Sequence, residues 1–486
     1  MVTGVSMQFT AIKVRRQEAI WLSAVFVVLM LLGSGVKAQD HVNFILIYTD
    51  DQGWADVGVY GATDIQTPNL DRLAAEGMRF TNFYVASPVC TPSRAALLTG
   101  AYPKRLGLGI GVYFPNDLRG LNPDEITIAD MLKTQNYETM LIGKWHLGRP
   151  SEVLPTAQGF DHYFGIPYSN DMTADHPLFG LPRLPLMEDE QVIENGNEGD
   201  KGFDQTNLTQ RYTDRAVRFI RQNSDRPFFL YLAHNQPHFP NYSSAGWVGS
   251  SNRGRYGDAV QEVDWSVGQI VAALESEGID ENTVIMYASD NGPWSYVLGL
   301  APDAMGTWSE TSDGTTGSAL PLRGWKNETL EGGPRVPFIV RWPGHVPAGS
   351  VNDQLATNMD ILPTIAAIAE VDISSNPPID GHSILRLMTD PENSNSPTDY
   401  FVYYDSTDDD GDGYPDLRAV RDAAGWKLQI ENEAGEDVKE LYFLPDDIST
   451  ATDLASQNPD KVDELVGAAQ RIDADVSAGI RPEWVP

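Results

Sequence analysis

The chain has 486 residues, 34 basic against 68 acidic side chains, a formal net charge of −34, and one cysteine. Its 41% hydrophobic and 10% aromatic content supports a sizeable core and excludes disordered and low-complexity classes. The acidity argues against nucleic acid and anionic membrane surfaces as partners, and one cysteine excludes an internal disulfide or a four-cysteine zinc site.

Residues 1–38 read as a secretory signal. Lys13, Arg15 and Arg16 precede the apolar run Ala19–Leu32, and Val36-Lys37-Ala38 has the small residues of a cleavage site. An uncleaved anchor is the alternative, against which the run is short for a bilayer span. Removing this segment takes away four basic groups and one acidic group, leaving 30 against 67. The mature protein is expected to be exported, acidic and soluble, without stable membrane association.

The next stretch, Val42–Tyr48, is continuous, apolar and β-branched, and predicts a buried strand. Thr67-Pro68 opens a helix that ends at Gly77. Further strands are predicted at Glu138–Ile142, Pro227–Ala233, Thr283–Ala288 and Val336–Val340, with helices at Ile126–Thr134, Asn207–Gln222, Ala259–Glu277 and Asp360–Ala369. This alternation predicts an α/β fold with a large, mostly parallel sheet sandwiched by helices. Asp175–Asp204 and Gly299–Ala319 read as aperiodic insertions. A Pro-, Asn- and Ser-rich stretch at Ser374–Pro397 suggests a boundary. We therefore divide the chain into a large α/β domain, 39–395, and a C-terminal subdomain, 396–486, predicted as a small antiparallel sheet with one helix at Pro459–Val476.

The unusual polar residues follow the predicted strands. Asp50-Asp51 follows the first, Lys144-Trp145-His146 the second, His234-Asn235-Gln236-Pro237-His238 the third and Asp290-Asn291-Gly292 the fourth. In open α/β sheets the ligand site lies outside the carboxyl ends of the strands, so four segments converge on one rim. Asp50, Asp51, Asp290 and Asn291 make an oxygen-only set that suits calcium or magnesium and not zinc. His146 and His234 have the intrinsic pKa for proton transfer. Cys90 stands in Ser-Pro-Val-Cys-Thr-Pro-Ser-Arg, where Pro92 suits the first turn of a helix, a place that favours negative charge. A buried inert thiol is the alternative, and the polar flanks speak against it.

These residues carry a family resemblance. Cys90-Thr91-Pro92-Ser93-Arg94-Ala95-Ala96-Leu97-Leu98-Thr99-Gly100 resembles the C-x-P-S-R-x-x-x-L-T-G signature of type I sulfatases, and Gly143-Lys144-Trp145-His146-Leu147-Gly148 matches their second signature. Asp50-Asp51-x-Gly53, His234-x-x-Pro237-His238, Asp290-Asn291-Gly292, Leu322–Lys326 and Glu331–Pro337 are similar as well. Gly159–Asp161 and Gly165–Asp171 resemble the arylsulfatase A-like branch, and the segment from Glu440-Leu441-Tyr442 resembles sulfatase C-terminal subdomains. The resemblance runs in order over nearly the whole mature chain.

It implies an alkaline phosphatase-like fold and hydrolysis of sulfate esters. It also implies that a separate formylglycine-generating or anaerobic sulfatase-maturating enzyme reads Cys-x-Pro-x-Arg and oxidises Cys90 to Cα-formylglycine. One hydroxyl of the hydrated aldehyde attacks sulfur and gives a covalent enzyme sulfate. Calcium held by Asp50, Asp51, Asp290 and Asn291 binds a sulfate oxygen and the nucleophile derived from Cys90. Arg94 and Lys144 hold diol and sulfate, His234 and Lys326 serve the leaving oxygen, and His146 takes a proton from the second hydroxyl. The role of His238 stays open. The export signal and the family's common substrates point to a sulfated carbohydrate and to the periplasm or the exterior of a bacterial cell.

Other readings remain open at this level. A phosphate or phosphonate ester hydrolase of the same superfold would use the same rim, and a catalytically silent calcium-dependent glycan-binding protein would keep the acids. Asp408–Asp416 has the alternating acids of a calcium loop, but Ala419 replaces the closing glutamate, and a solvated turn is the alternative. Trp294, Tyr296 and Trp308 suit either stacking on sugar rings or packing.

Overall fold

The computed structural model describes Met1 and residues 41–174, 176, 180–196, 202–294, 316–409, 411–433 and 436–486. Apart from Met1 the expected signal segment lies outside them, as do Tyr296, Trp308 and residues 299–315 of the second expected insertion. Among the described residues no helix is long and apolar enough to cross a membrane.

In chain order the strands are β1 (Asn43–Thr49), β2 (Met78–Phe80), β3 (Phe83–Tyr84), β4 (Glu138–Lys144), β5 (His162–Ile166), β6 (Leu186–Glu188), β7 (Gln191–Glu194) and β8 (Phe228–Ala233). They continue as β9 (Thr283–Ser289), β10 (Phe338–Arg341), β11 (Ser350–Asn352), β12 (Ala356–Thr357), β13 (Tyr400–Tyr404), β14 (Leu417–Asp422), β15 (Trp426–Glu433) and β16 (Glu436–Phe443). Ten form one sheet in the order β11-β2-β10-β9-β1-β8-β4-β5-β6-β7. Its centre, β9-β1-β8-β4-β5, is parallel throughout.

Strand β1 shows why its sequence is unbroken in apolarity. Phe44, Leu46 and Tyr48 enter one core, with the helices Cys90–Thr99, Ile128–Lys133 and Ile361–Ile368. Ile45 and Ile47 enter the other, with the helices Pro68–Glu76, Leu208–Gln222 and Gly254–Glu277. A sheet covered on both faces has no polar side to alternate with. The expected helix-sheet-helix sandwich is therefore present.

Several elements depart from the sequence reading, and β5, in the parallel centre of the sheet, is covered by no expected strand. The helix expected from Ala259 begins at Gly254. Its first turn is polar, but Tyr256 and Asp258 are buried and Asp258 accepts from the amides of Gly249 and Ser251 at 2.7 and 2.8 Å. Inside the first expected insertion, β6 and β7 extend the sheet edge. All four residues of β7 are exposed, so no alternating pattern marks it.

At the C-terminal end, β13 to β16 form an antiparallel sheet. Phe401, Tyr403, Leu428 and Leu441 share a core with Leu465, Ala469 and Val476 of the helix Pro459–Ala478, and with Tyr84, Tyr102 and Met359. His41–Pro486 form one compact unit. A buried ionic group joins the C-terminal sheet to β3, which pairs with β12, and to the loop before β10. Glu331 accepts from Lys427 Nζ at 3.0 Å, Arg335 at 3.2 Å and Tyr84 Oη at 2.7 Å, while Arg421 donates to Tyr84 Oη at 2.6 Å.

Burial opposes the charge on Glu331, but Lys427, Arg335 and Arg421 outweigh it and hold the carboxyl down at about 2. A carboxylate depressed in this way contributes stability that is complete above the ordinary glutamate value and lost as pH falls through about 2. Glu331→Gln leaves buried cations uncompensated and should cost about 3–5 kcal/mol at neutral pH. Chemical denaturation should show that loss and show it shrinking as pH falls from the ordinary value toward 2. A variant with unchanged stability at neutral pH would contradict the assignment.

Candidate active site

The sheet register sets the geometry of the rim. Tyr48 is level with Ala233 and Thr49 with Ser289, while Gly143 is level with Ala233. The ends of β1, β4, β8 and β9 therefore release Asp50-Asp51, Lys144, His234 and Asp290-Asn291 at one height. Gly143 is needed for this, since a Cβ there would stand 1.9 Å from the Ala233 carbonyl oxygen. Two residues of the rim take the left-handed conformation without being glycine, Asp51 (φ 60°) and His146 (φ 61°). Such conformations cost about 1–3 kcal/mol and persist where the surroundings over-determine them. For Asp51 those surroundings include its amide, which donates to Asp290 Oδ1 at 3.1 Å.

Three acids and three permanent cations interlock here. Lys144 Nζ lies 2.6 Å from Asp50 Oδ2. Lys326 Nζ lies 2.8 Å from Asp51 Oδ1. Arg94 donates Nε and Nη2 to Asp290 Oδ2 at 3.0 and 2.7 Å, with Asp50 3.8 Å away. All six side chains are buried or nearly so. Burial works against the charge on Asp50, yet Lys144, His238 and Arg94 together hold its pKa below the ordinary value. On Asp290 burial wins, aided by Asp50, and its pKa is raised despite Arg94.

Cys90 opens the Cys90–Thr99 helix, two residues before the expected start. Its polar flank is nevertheless buried: Thr91, Ser93 and Arg94 are enclosed with it. Its Sγ lies 3.6 Å from Asp50 Oδ1. Burial pushes the thiol pKa far up, more than Lys144 and Lys326 bring it down. As a thiol, Cys90 is not an activated nucleophile.

The histidines divide by their partners. His146 Nε2 faces the Tyr113 carbonyl at 3.0 Å, and since a carbonyl only accepts, Nε2 carries the hydrogen. Its buried Nδ1 has no partner and keeps the lone pair. Burial, then Lys144 and Arg94, depress its pKa well below the ordinary value, so the ring is neutral.

His234 changes the expectation. Both its ring nitrogens are buried without partners, its ring stands 6.2 Å from that of Tyr212, and burial takes its pKa to about 3. His238, four residues on, is the histidine at the acids. Its Nε2 lies 3.5 Å from Asp51 Oδ2 and 3.5 Å from Ser169 Oγ, and its Nδ1 is bonded to the Phe239 carbonyl.

The acids suit a hard cation. Ligand atoms of Asp50, Asp51, Cys90 and His238 lie within 4.8 Å of one another. Asn291 donates Nδ2 to Asp51 Oδ1 at 2.7 Å while its buried Oδ1 has no partner, an orphaned oxygen of the kind calcium takes. The carboxylate of Asp290 borders this group and is engaged by Arg94.

Sequence reasoning missed Ser169, whose Oγ is 3.2 Å from Lys144 Nζ, and the partly buried Asp171, which is electrostatically tied to His238. Their motif was visible, but nothing in it distinguished a site residue from a turn. Trp294 packs at the site, 5.7 Å from the His238 ring, with Lys326 Nζ 5.6 Å from its centre. In the Asp408–Asp416 segment, Arg418 pairs with Asp409 and Asp416, and Asp408 accepts from the amides of Gly411 and Gly413.

Residues 42–371 match the Sulfatase family, and residues 325–465 match the family described as N-sulphoglucosamine sulphohydrolase, C-terminal. N-acetylgalactosamine-6-sulfatase of Sus scrofa is 40% identical over 77% of this chain and 71% of its own length. Arylsulfatase A of Homo sapiens is 37% identical over 79% and 74%. The crystal structure of Ps i-CgsB in complex with k-i-k-neocarrahexaose is similar with a TM-score of 0.75 at 30% identity, covering 92% of this chain and 95% of that one. A chain with this fold, this rim and these relatives belongs to the sulfatase family and is a sulfuric ester hydrolase.

Proposed function

We propose that this enzyme removes sulfate from a sulfated carbohydrate, with Cα-formylglycine made from Cys90 and one calcium ion. The observation that carries the reading is the buried group of three acids and three cations around Cys90. The names of the relatives support the substrate class, since one acts on an N-acetylgalactosamine 6-sulfate and another is solved with a neocarrahexaose. Asp50, Asp51, Asp290 and Asn291 would hold the calcium, which supplies a positive centre for a sulfate oxygen and for the nucleophile. The hydrated aldehyde supplies two hydroxyls on one carbon, the first as nucleophile and the second as the group whose deprotonation releases sulfate.

The side chains do the rest. Arg94 and Lys144, fixed by Asp290 and Asp50, hold the reacting group and the sulfate. His146 offers the lone pair of Nδ1, because Tyr113 retains the hydrogen on Nε2. With Nδ1 committed to the Phe239 carbonyl, His238 exchanges its proton at Nε2, and Lys326 meets the same Asp51 carboxylate. These two serve the leaving oxygen, the part that the sequence assigned to His234 and Lys326. Maturation by an enzyme that reads Cys90-x-Pro92-x-Arg94, export through residues 1–38, action in the periplasm or outside the cell, and the division at 395/396 belong to the same reading.

Enzyme co-expressed with a maturase should release inorganic sulfate from a panel of sulfated oligosaccharides, and intact mass should show loss of sulfur at Cys90. Activity confined to small aryl sulfates, or full turnover with an unmodified thiol, would contradict the reading. His238→Ala should lower kcat by about 10²–10⁴, the usual worth of a general acid. His234→Phe removes only unpartnered nitrogens and should keep activity within about threefold. Kinetics of both variants on one substrate check the assignment, which fails if the two effects are reversed.

A further inference from the structure

Lys326 sits on a loop, residues 320–335, that is held from two sides. On the catalytic side its amide donates to the Pro293 carbonyl at 3.0 Å, and the Asn327 amide donates to that of Pro88 at 3.0 Å. The turn thus rides on the segments that carry Asn291 and Cys90. Its conformation is not a default one, since Gly324 (φ 90°) and Asn327 (φ 72°) on either side of Lys326 are both left-handed.

The other side is held by the C-terminal sheet. Lys427 on β15 donates Nζ to the Thr329 carbonyl at 2.8 Å and to Glu331 Oε1 at 3.0 Å. Gln429, on the same face of β15, donates Nε2 to Thr329 Oγ1 at 2.9 Å. Lys427 and Gln429 are each 1% exposed. A buried ammonium costs several kcal/mol in desolvation unless well paired, so this placement commits Lys427 to its two acceptors. Both acceptors lie within five residues of Lys326, whose own ammonium must meet Asp51 Oδ1 at 2.8 Å.

We propose that Lys427 and Gln429 are positioning residues for Lys326, so that the C-terminal sheet sets the cation that serves the leaving oxygen. The proposal rests on the role given to Lys326 above, and the test separates the two.

The matured enzyme is compared as Lys326→Met, Lys427→Met, Gln429→Leu and the Lys326→Met/Lys427→Met double variant, with activity normalised to Cys90 conversion. The substrates are 4-nitrophenyl sulfate, with a good leaving group, and N-acetylgalactosamine 6-sulfate, with a poor one. Lys427→Met should lower kcat on the sugar sulfate about tenfold and on the nitrophenyl ester less than about threefold, with KM little changed. The double variant should be no slower than Lys326→Met alone, because the two residues act as one unit. Losses that multiply in the double variant overturn the proposal. If Lys326→Met slows both substrates equally, the leaving-oxygen role fails, and the coupling between the two lysines still decides the positioning claim. Should Lys427→Met not fold, Gln429→Leu, which removes the neutral bond to Thr329 and no charge, completes the same cycle with Lys326→Met.

Discussion

The pairing of three buried carboxylates with three buried cations beside the ends of β1, β4 and β9 is the constraint on which the rest of this structure depends. Asp50, Asp51 and Asp290 would repel one another strongly in a low-dielectric rim, and each is met by a cation within hydrogen-bonding distance: Lys144, Lys326 and Arg94. Charge within the group cancels before any ligand is counted. A dication alone would impose net charge on this balanced group; a bound sulfate ester, with one negative charge, would offset half of it, and released sulfate, a dianion, all of it. This also resolves the apparent conflict between an acidic protein and an anionic substrate. A chain with a net charge of −34 does not attract polyanions broadly; at this rim, however, its acids are matched one for one by cations, so an anion meets no excess of negative charge there.

The fold serves that constraint at two distances. Close by, the register of β1, β4, β8 and β9 brings the side chains to one level, and the left-handed turns at Asp51 and His146 aim the chain into the rim. Further away, the C-terminal sheet reaches back through Lys427 and Gln429 to the loop that bears Lys326. Glu331 lies in the same buried ionic group, so stability and site geometry share one set of contacts. Cys90 illustrates the division of labour. The protein encloses it and raises its pKa, so the side chain is held as an un-ionised thiol.

Much of this was legible in the sequence because it follows from continuous patterns. The central strands are apolar without interruption since both faces are covered, and each ends in a short polar motif. Those two facts place Asp50, Asp51, Lys144, Asp290 and Asn291 at one rim. The C-terminal strands were legible from their turns. What was not legible depends on path and exposure. β7 is wholly exposed and carries no pattern. His234 and His238 follow the same strand four residues apart, and only the course of the loop decides which one meets Asp51. Ser169 and Asp171 look like turn residues, and the buried start of the Gly254–Glu277 helix is polar because its partners are backbone amides.

The central claim is that the rim is electrically balanced and takes cation and sulfate as a pair. Isothermal titration of the matured enzyme with calcium, with and without saturating inorganic sulfate, tests it most directly. The account predicts that sulfate tightens calcium binding by about tenfold or more, with calcium tightening sulfate binding by the same factor. Calcium affinity that is unchanged or weakened by sulfate would contradict it.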